Sequence, residues 1–167
     1  ITGGQVQALC IARAAGIKVP SETLEKAIEY NKACHHLKSG GFSYQPGSSP
    51  GFASTASGIN SLLALGLRDD TTVAAGAKYL FANFRKNQEW FVYGMSYASP
   101  AMHMIGGDMQ KEWYTKINPI ILTDIQSIKI PGAGKEVAVN YWNSKGRAGR
   151  MGPIFTTAIY TKTLAQP

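Results

Sequence analysis

A chain of 167 residues, 44% hydrophobic and 16% charged, is long enough to bury one core and too apolar to be disordered. Seventeen Lys and Arg against ten Asp and Glu leave a net charge of +7, but the basic residues are scattered singly outside Lys145-Gly146-Arg147-Ala148-Gly149-Arg150 and form no stripe suited to nucleic acid. No apolar run reaches the roughly 18 to 20 residues that cross a bilayer.

The first expected helix runs from Gly3 to Ala15, with Val6, Leu9, Cys10, Ala14 and the stem of Arg13 on one side. Gly16 ends it, Ile17 to Pro20 turn the chain, and Ser21 is read as N-cap of a second helix with Glu22 and Glu25 in its first turn. Leu24, Ala27, Ile28 and Cys34 share a face of that helix, which gives way to the loop Lys38 to Gly47. Cys10 and Cys34 then lie on consecutive antiparallel helices at levels about 12 Å apart, too far for a disulfide, so both are read as buried free thiols.

The second unit repeats this order. Ser54 or Thr55 is expected to cap a small-residue helix through Gly58, Ile59, Leu62, Leu63 and Leu65, closed by Gly66. Leu67 to Asp70 form the turn, with Asp69-Asp70 as the cap of an amphipathic helix through Val73, Ala77, Leu80, Phe81 and Phe84. Trp90 to Gly94 read as a second aromatic-glycine loop.

A third helix is expected from Met95 to Ile105, either kinked at Pro100 or starting at Ser99 with Pro100 in its first turn, and closed by Gly106-Gly107. Asp108 reads as a cap for a segment holding Trp113, Tyr114 and Ile117. Asn118-Pro119 reads as a fresh start leading through Ile120, Ile121, Ile125 and Ile128. Pro131 stops it, a polar loop holds Tyr141 and Trp142, and Pro153 opens a last helix through Ile154, Ala158, Ile159 and Leu164. Val137-Ala138-Val139 is the only strand candidate. The closing glycines at 16, 66 and 106 recur every 40 to 50 residues, the spacing of a two-helix repeat.

Gly40-Gly41-Phe42-Ser43-Tyr44 after an amphipathic helix, and Gly152-Pro153-Ile154-Phe155-Thr156-Thr157-Ala158, resemble the prenyltransferase and squalene-oxidase repeats of the terpenoid cyclase and protein prenyltransferase superfamily. The resemblance covers nearly the whole chain as a repeat pattern and is closest to uncharacterised bacterial members. It implies an all-α fold, an α/α-toroid of two-helix hairpins over 1–167, with hairpins at about 3–35, 54–84 and 95–129 and a final helix at 153–165. A full toroid has about six hairpins, so the ring is expected to be partial. A chain that begins at Ile1 is expected to be a piece of a longer one. Related bacterial proteins are often exported, which the resemblance extends to this chain.

The chemistry the superfamily implies lacks its residues here. Cyclases of the squalene-hopene kind use an Asp-x-Asp-Asp acid; Arg68-Asp69-Asp70 lacks the leading aspartate, and Asp108 and Asp124 read as a cap and a helix-face residue. Prenyltransferase zinc needs Asp, Cys and His together. Cys34, His35 and His36 point about 100° apart on a helix, and His103 reads as a packed inner-helix residue, so no metal and no cofactor is assigned. The Cys-Gly-Glu-Gln element of thioester domains is absent. What remains is the set of aromatics Phe42, Tyr44, Phe91, Tyr93, Tyr97 and Trp142, together with Trp90, which in the superfamily line the cavity or brace neighbouring repeats. The sequence is therefore read as a non-catalytic toroid domain that binds a protein partner or an apolar small molecule. The alternative is an isoprenoid cyclase-like or prenyltransferase-like enzyme whose catalytic motif lies outside these residues.

Overall fold

In the computed structural model, which describes residues 2–85, 88–132, 134–143 and 151–166, the interior is built around two helices that are apolar on nearly every side. Helices α1 (Thr2–Ala14), α2 (Ser21–Ala33), α3 (Phe52–Ala64), α4 (Thr71–Ala82), α5 (Phe91–Ile105) and α6 (Gly107–Leu122) precede a two-stranded ribbon of β1 (Ile125–Pro131) and β2 (Glu136–Trp142), and α7 (Gly152–Leu164) follows it. The protein is thus mostly helical with one small sheet.

Phe52, Ala56, Ile59, Leu62 and Leu63 of α3 and Phe91, Val92, Met95, Ala98, Ala101 and Met102 of α5 are all buried, and these two helices share the most extensive contact in the molecule. A helix apolar around its circumference belongs in an interior. α1 packs on α3 and α7 on α5, so the contacts link α1, α3, α5 and α7 in a row. α2, α4 and α6 each pack on the helix before them. Their buried residues fall on one stripe, as with Val73, Gly76, Ala77 and Leu80 of α4 and Trp113, Ile117 and Ile121 of α6. A polar seam crosses the row: Gln7 Nε2 of α1 donates to Asn60 Oδ1 of α3, and Asn60 Nδ2 donates to the Tyr97 carbonyl of α5 at 3.3 Å.

Two helix ends match the residues that announce them. Gly16 and Gly66 take left-handed φ angles of 82° and 88°. Ile17 N then donates to Ala12 O and Leu67 N to Leu62 O, the six-to-one bond that closes a helix. Asp70 caps α4, accepting from Thr72 N at 2.9 Å, and also pairs with Lys32 of α2 at 2.6 Å. Lys32 first, then Thr72, hold the Asp70 carboxyl down to about 2 from its usual 3.8. A depressed carboxyl contributes stability that is complete above the unfolded value and lost as pH falls. Acid titration should therefore weaken α4 from about pH 3.8 through about 2. Asp70→Ala should cost about 1–2 kcal/mol in urea denaturation at pH 7 and flatten that acid limb.

Several sequence expectations are corrected. Ser21 is the first residue of α2, behind Pro20, and makes no capping bond. α3 starts at Phe52 behind Gly51, not at Ser54 or Thr55, because Thr55 Oγ1 is engaged as acceptor of the Phe42 N–H at 2.8 Å. Trp90 to Gly94 are not a loop: α5 begins at Phe91 and continues through Pro100. Packing overrides the local cost of Gly94 there, since a Cβ at that position would lie 2.7 Å from the Phe52 ring. Asp108 caps nothing; α6 begins at Gly107, and Asp108 sits exposed beside Lys111. Asn118-Pro119 lies within α6, and Asp124 lies in the turn after it.

The largest correction concerns residues 125–142. Ile125 and Ile128 belong to a strand, and Tyr141 and Trp142 to its partner, paired antiparallel from Ile125↔Trp142 to Pro131↔Glu136. Ile125 and Ile128 match a helical spacing, but Ser127 to Ile130 also alternate with period two, and β-branched residues on both strands favour the ribbon. Trp142 fixes its base, donating from Nε1 to Ile121 O at 2.8 Å and packing edge-on to Tyr160 of α7. The cluster Lys145 to Arg150 lies outside the described residues.

Candidate functional site

The loop after α2 decides where the cavity of this protein opens. Gly40 takes φ 75°, and a Cβ on it would lie 2.8 Å from the Ala75 carbonyl oxygen, so only glycine brings the chain this close to α4. Gly41 O then accepts from His36 N, Ser43 N donates to Cys34 O, and Gly51 N donates to Phe42 O. These bonds drive the Phe42 ring into a slot against α3 and α4. A Cβ on Gly58 would sit 2.6 Å from that ring and one on Gly76 3.2 Å.

Above Phe42 lies a cavity of about 570 Å³, bounded by the starts of α1, α3 and α5, by α2 and by this loop. Its walls include Thr2, Tyr30, Asn31, Cys34, Phe42, Ser43, Tyr44, Gln45, Ser54, Ser57, Trp90 and Tyr93, and among the described residues that line it none is Asp, Glu, Lys, Arg or His. The rim is aromatic: Tyr44 is 68% exposed and Trp90 43%. Trp90 is the one non-glycine with positive φ among the described residues, at 63°, and its ring meets the edge of Tyr93 at 6.3 Å. A left-handed tryptophan costs about 1–3 kcal/mol, and residues held this way concentrate at functional sites. Trp90→Gly removes that strain along with the ring, so its stability should stay within about 1 kcal/mol of wild type by thermal unfolding.

The wall is polar without charge. Among the described residues, the side chains of Thr2, Gln45, Ser54 and Ser57 have no hydrogen-bond partner. Each such group stripped of water and left unpaired costs about 1–3 kcal/mol, which offsets the burial of roughly 40–120 Å² of apolar surface. An occupant is thus held best if it offers both an apolar face and hydrogen-bonding groups. Burial pushes the Cys34 thiol up from its usual value, against hydrogen bonds from Tyr30 and Ser43, so at neutral pH it is protonated and a poor nucleophile.

Of the six aromatics singled out in the sequence, Phe42, Tyr44 and Tyr93 meet at this cavity. Tyr97 stands one turn behind, its hydroxyl 3.1 Å from that of Tyr93; burial, then that bond, raise its pKa. Phe91 and Trp142 do not line it. Phe91 packs on Phe52 and Phe84, and Trp142 lies at the ribbon base. The sequence did not single out Tyr30, Asn31 or Ser57, and it offered Ser54 only as a helix cap. Their signal was helical spacing: Tyr30 stands four residues before Cys34, and Ser54 three before Ser57.

The other polar candidates are spread out. His35 meets the Phe42 ring at a tilt, centroids 5.0 Å apart, His36 Nε2 lies 2.7 Å from the Ser48 carbonyl, and His103 Nδ1 lies 3.1 Å from Gln110 Nε2. Cys10 is free and half-buried, where the sequence suggested a buried thiol; Cys34 is free and buried. Among the described residues no three His, Cys, Asp or Glu side chains converge as metal ligands, and no helix is long and apolar enough to cross a membrane.

The fold and this cavity define a mostly helical protein with an aromatic-rimmed cleft whose described lining residues are uncharged. Compared with protein-family models, with curated proteins and with solved structures, the chain finds no match in any of the three.

Proposed function

We propose that this is a non-catalytic binding domain of the α/α-toroid kind, whose cleft between α1, α2, α3 and the start of α5 holds an uncharged ligand with an apolar face. The row of α1, α3, α5 and α7, with α2, α4 and α6 each packed on its predecessor, supports the toroid reading, in which alternate helices form inner and outer layers of a partial ring. The observation that carries the binding reading is the combination of a strained, exposed Trp90 with walls whose described residues carry no charged side chain. Enclosed concave sites lined by aromatics and a few polar groups are where proteins hold small ligands. A Cys34 thiol whose pKa burial raises, and described lining residues that offer no charged acid or base, favour holding over transformation.

The test is native mass spectrometry of the protein isolated from its own cells. A ligand adduct is expected on the wild type and none on Trp90→Gly at equal fold stability. A wild type that carries no adduct, small or macromolecular, would remove the proposal.

A further inference from the structure

We infer that the occupant of the cleft is a neutral saccharide, one ring or a short run of rings bearing hydroxyls and no charge. This rests on the reading of the cleft as a binding site and adds the chemical class of what binds there. The described lining residues hold no counter-charge, so a phosphate, carboxylate or ammonium group among them would lose its water without an ionic partner. The protein carries a net charge of +7, yet none of the described residues that line this cleft is charged.

The wall hydroxyls supply the positive argument. Ser54 and Ser57 stand three apart on α3 and so share a face. α1 crosses them closely enough that a Cβ on Gly3 would strike the Ser57 hydroxyl, which brings Thr2 to the same wall. Hydroxyls both donate and accept, as do those of a sugar, and these have no partner among the described residues. At the rim, Tyr44 and Trp90 present exposed rings. The axial C–H groups of a pyranose form a flat apolar face that stacks on such rings, while its equatorial hydroxyls point outward to the wall.

A pure hydrocarbon would satisfy the rings and leave the hydroxyls dry and unpaired. An extended peptide adds to a sheet edge, a helical one fills a continuous apolar groove, and a proline-rich one, the peptide probe below, docks on exposed aromatic rings. This cleft is walled by helices and by a loop whose backbone is already bonded, Phe42 N to Thr55 and Ser43 N to Cys34.

Trp90 fluorescence reports occupancy, with Trp90→Phe giving the background from buried Trp113 and Trp142. The probes are an array of neutral oligosaccharides, the apolar dye Nile red and an uncharged proline-rich peptide. Saturable binding of at least one oligosaccharide is expected, weakened about tenfold by Tyr44→Ala. The paired substitution Ser54→Ala and Ser57→Ala should also weaken the saccharide but leave Nile red unchanged or tighter, with circular dichroism confirming the fold. The class is overturned, and the cleft kept as a site, if Nile red or the peptide binds at Trp90 and no neutral saccharide does. It is equally overturned if the serine pair has no effect on the saccharide. Absence of Trp90-dependent binding by all three probes overturns this inference, while the adduct measurement decides the broader reading separately.

Discussion

Trp113→Ala is expected to lower the unfolding free energy by about 3–5 kcal/mol, a large part of the roughly 5–15 kcal/mol that holds a domain of this kind. Trp113 is fully buried and meets Phe81 and Phe84 edge to face at 5.4 and 6.0 Å. Those two residues lie at and just beyond the end of α4, and Phe84 also contacts Phe52 of α3 and Phe91 of α5. One indole from α6 thereby completes an aromatic cluster drawn from four helices and the segment after α4. The ring is too large for its neighbours to close over the space it would leave. Its Nε1 donates to Ser99 Oγ at 3.4 Å, a long bond, so most of the loss should come from packing. Trp113→Phe should accordingly retain more than half of what alanine loses. Urea denaturation followed by circular dichroism measures both variants, and an alanine loss below about 1 kcal/mol would contradict the cluster as described.

The second large effect is a coupling. Phe42→Ala should cost about 3–5 kcal/mol by emptying the slot beneath the cleft. Gly58→Ala alone should cost about 1–3 kcal/mol, because the added methyl would meet the Phe42 ring at 2.6 Å and this clash exceeds the roughly 1 kcal/mol that alanine gains in a helix. In the Phe42→Ala background the same methyl enters vacated space, and Gly58→Ala should turn neutral or stabilising. The expected coupling is about 1–3 kcal/mol in a double-mutant cycle. Additive losses would mean that Gly58 is glycine for some reason other than the ring.

The two halves of this contact were unequally visible in the sequence. Gly40-Gly41-Phe42 stood out as a loop because it interrupts an amphipathic pattern, and α4 stood out because Val73, Ala77 and Leu80 repeat at helical spacing. That Gly58 and Gly76 are the seat of Phe42 depends on residues distant in the chain meeting in space, which no local pattern records. The same holds for Trp90 to Gly94, whose glycine reads as a break until Phe52 is seen against it. In residues 125–130 two periods overlap, and the pairing partner beyond Pro131 selects the strand. At the cleft, aromatic side chains announced themselves, whereas the serines and Asn31 did not, since isolated hydroxyls and amides on helices are common and gain meaning only where they converge.

The bond chain from Gln7 through Asn60 to the Tyr97 carbonyl has a consequence for the cleft. Sliding α1 along α3 by one turn, about 5.4 Å, would abandon a carboxamide that is almost wholly out of solvent, so the three helices are keyed to a single phase. The helical floor of the cleft is thereby held in one register, and the seated Phe42 ring ties the 38–50 segment to that same floor.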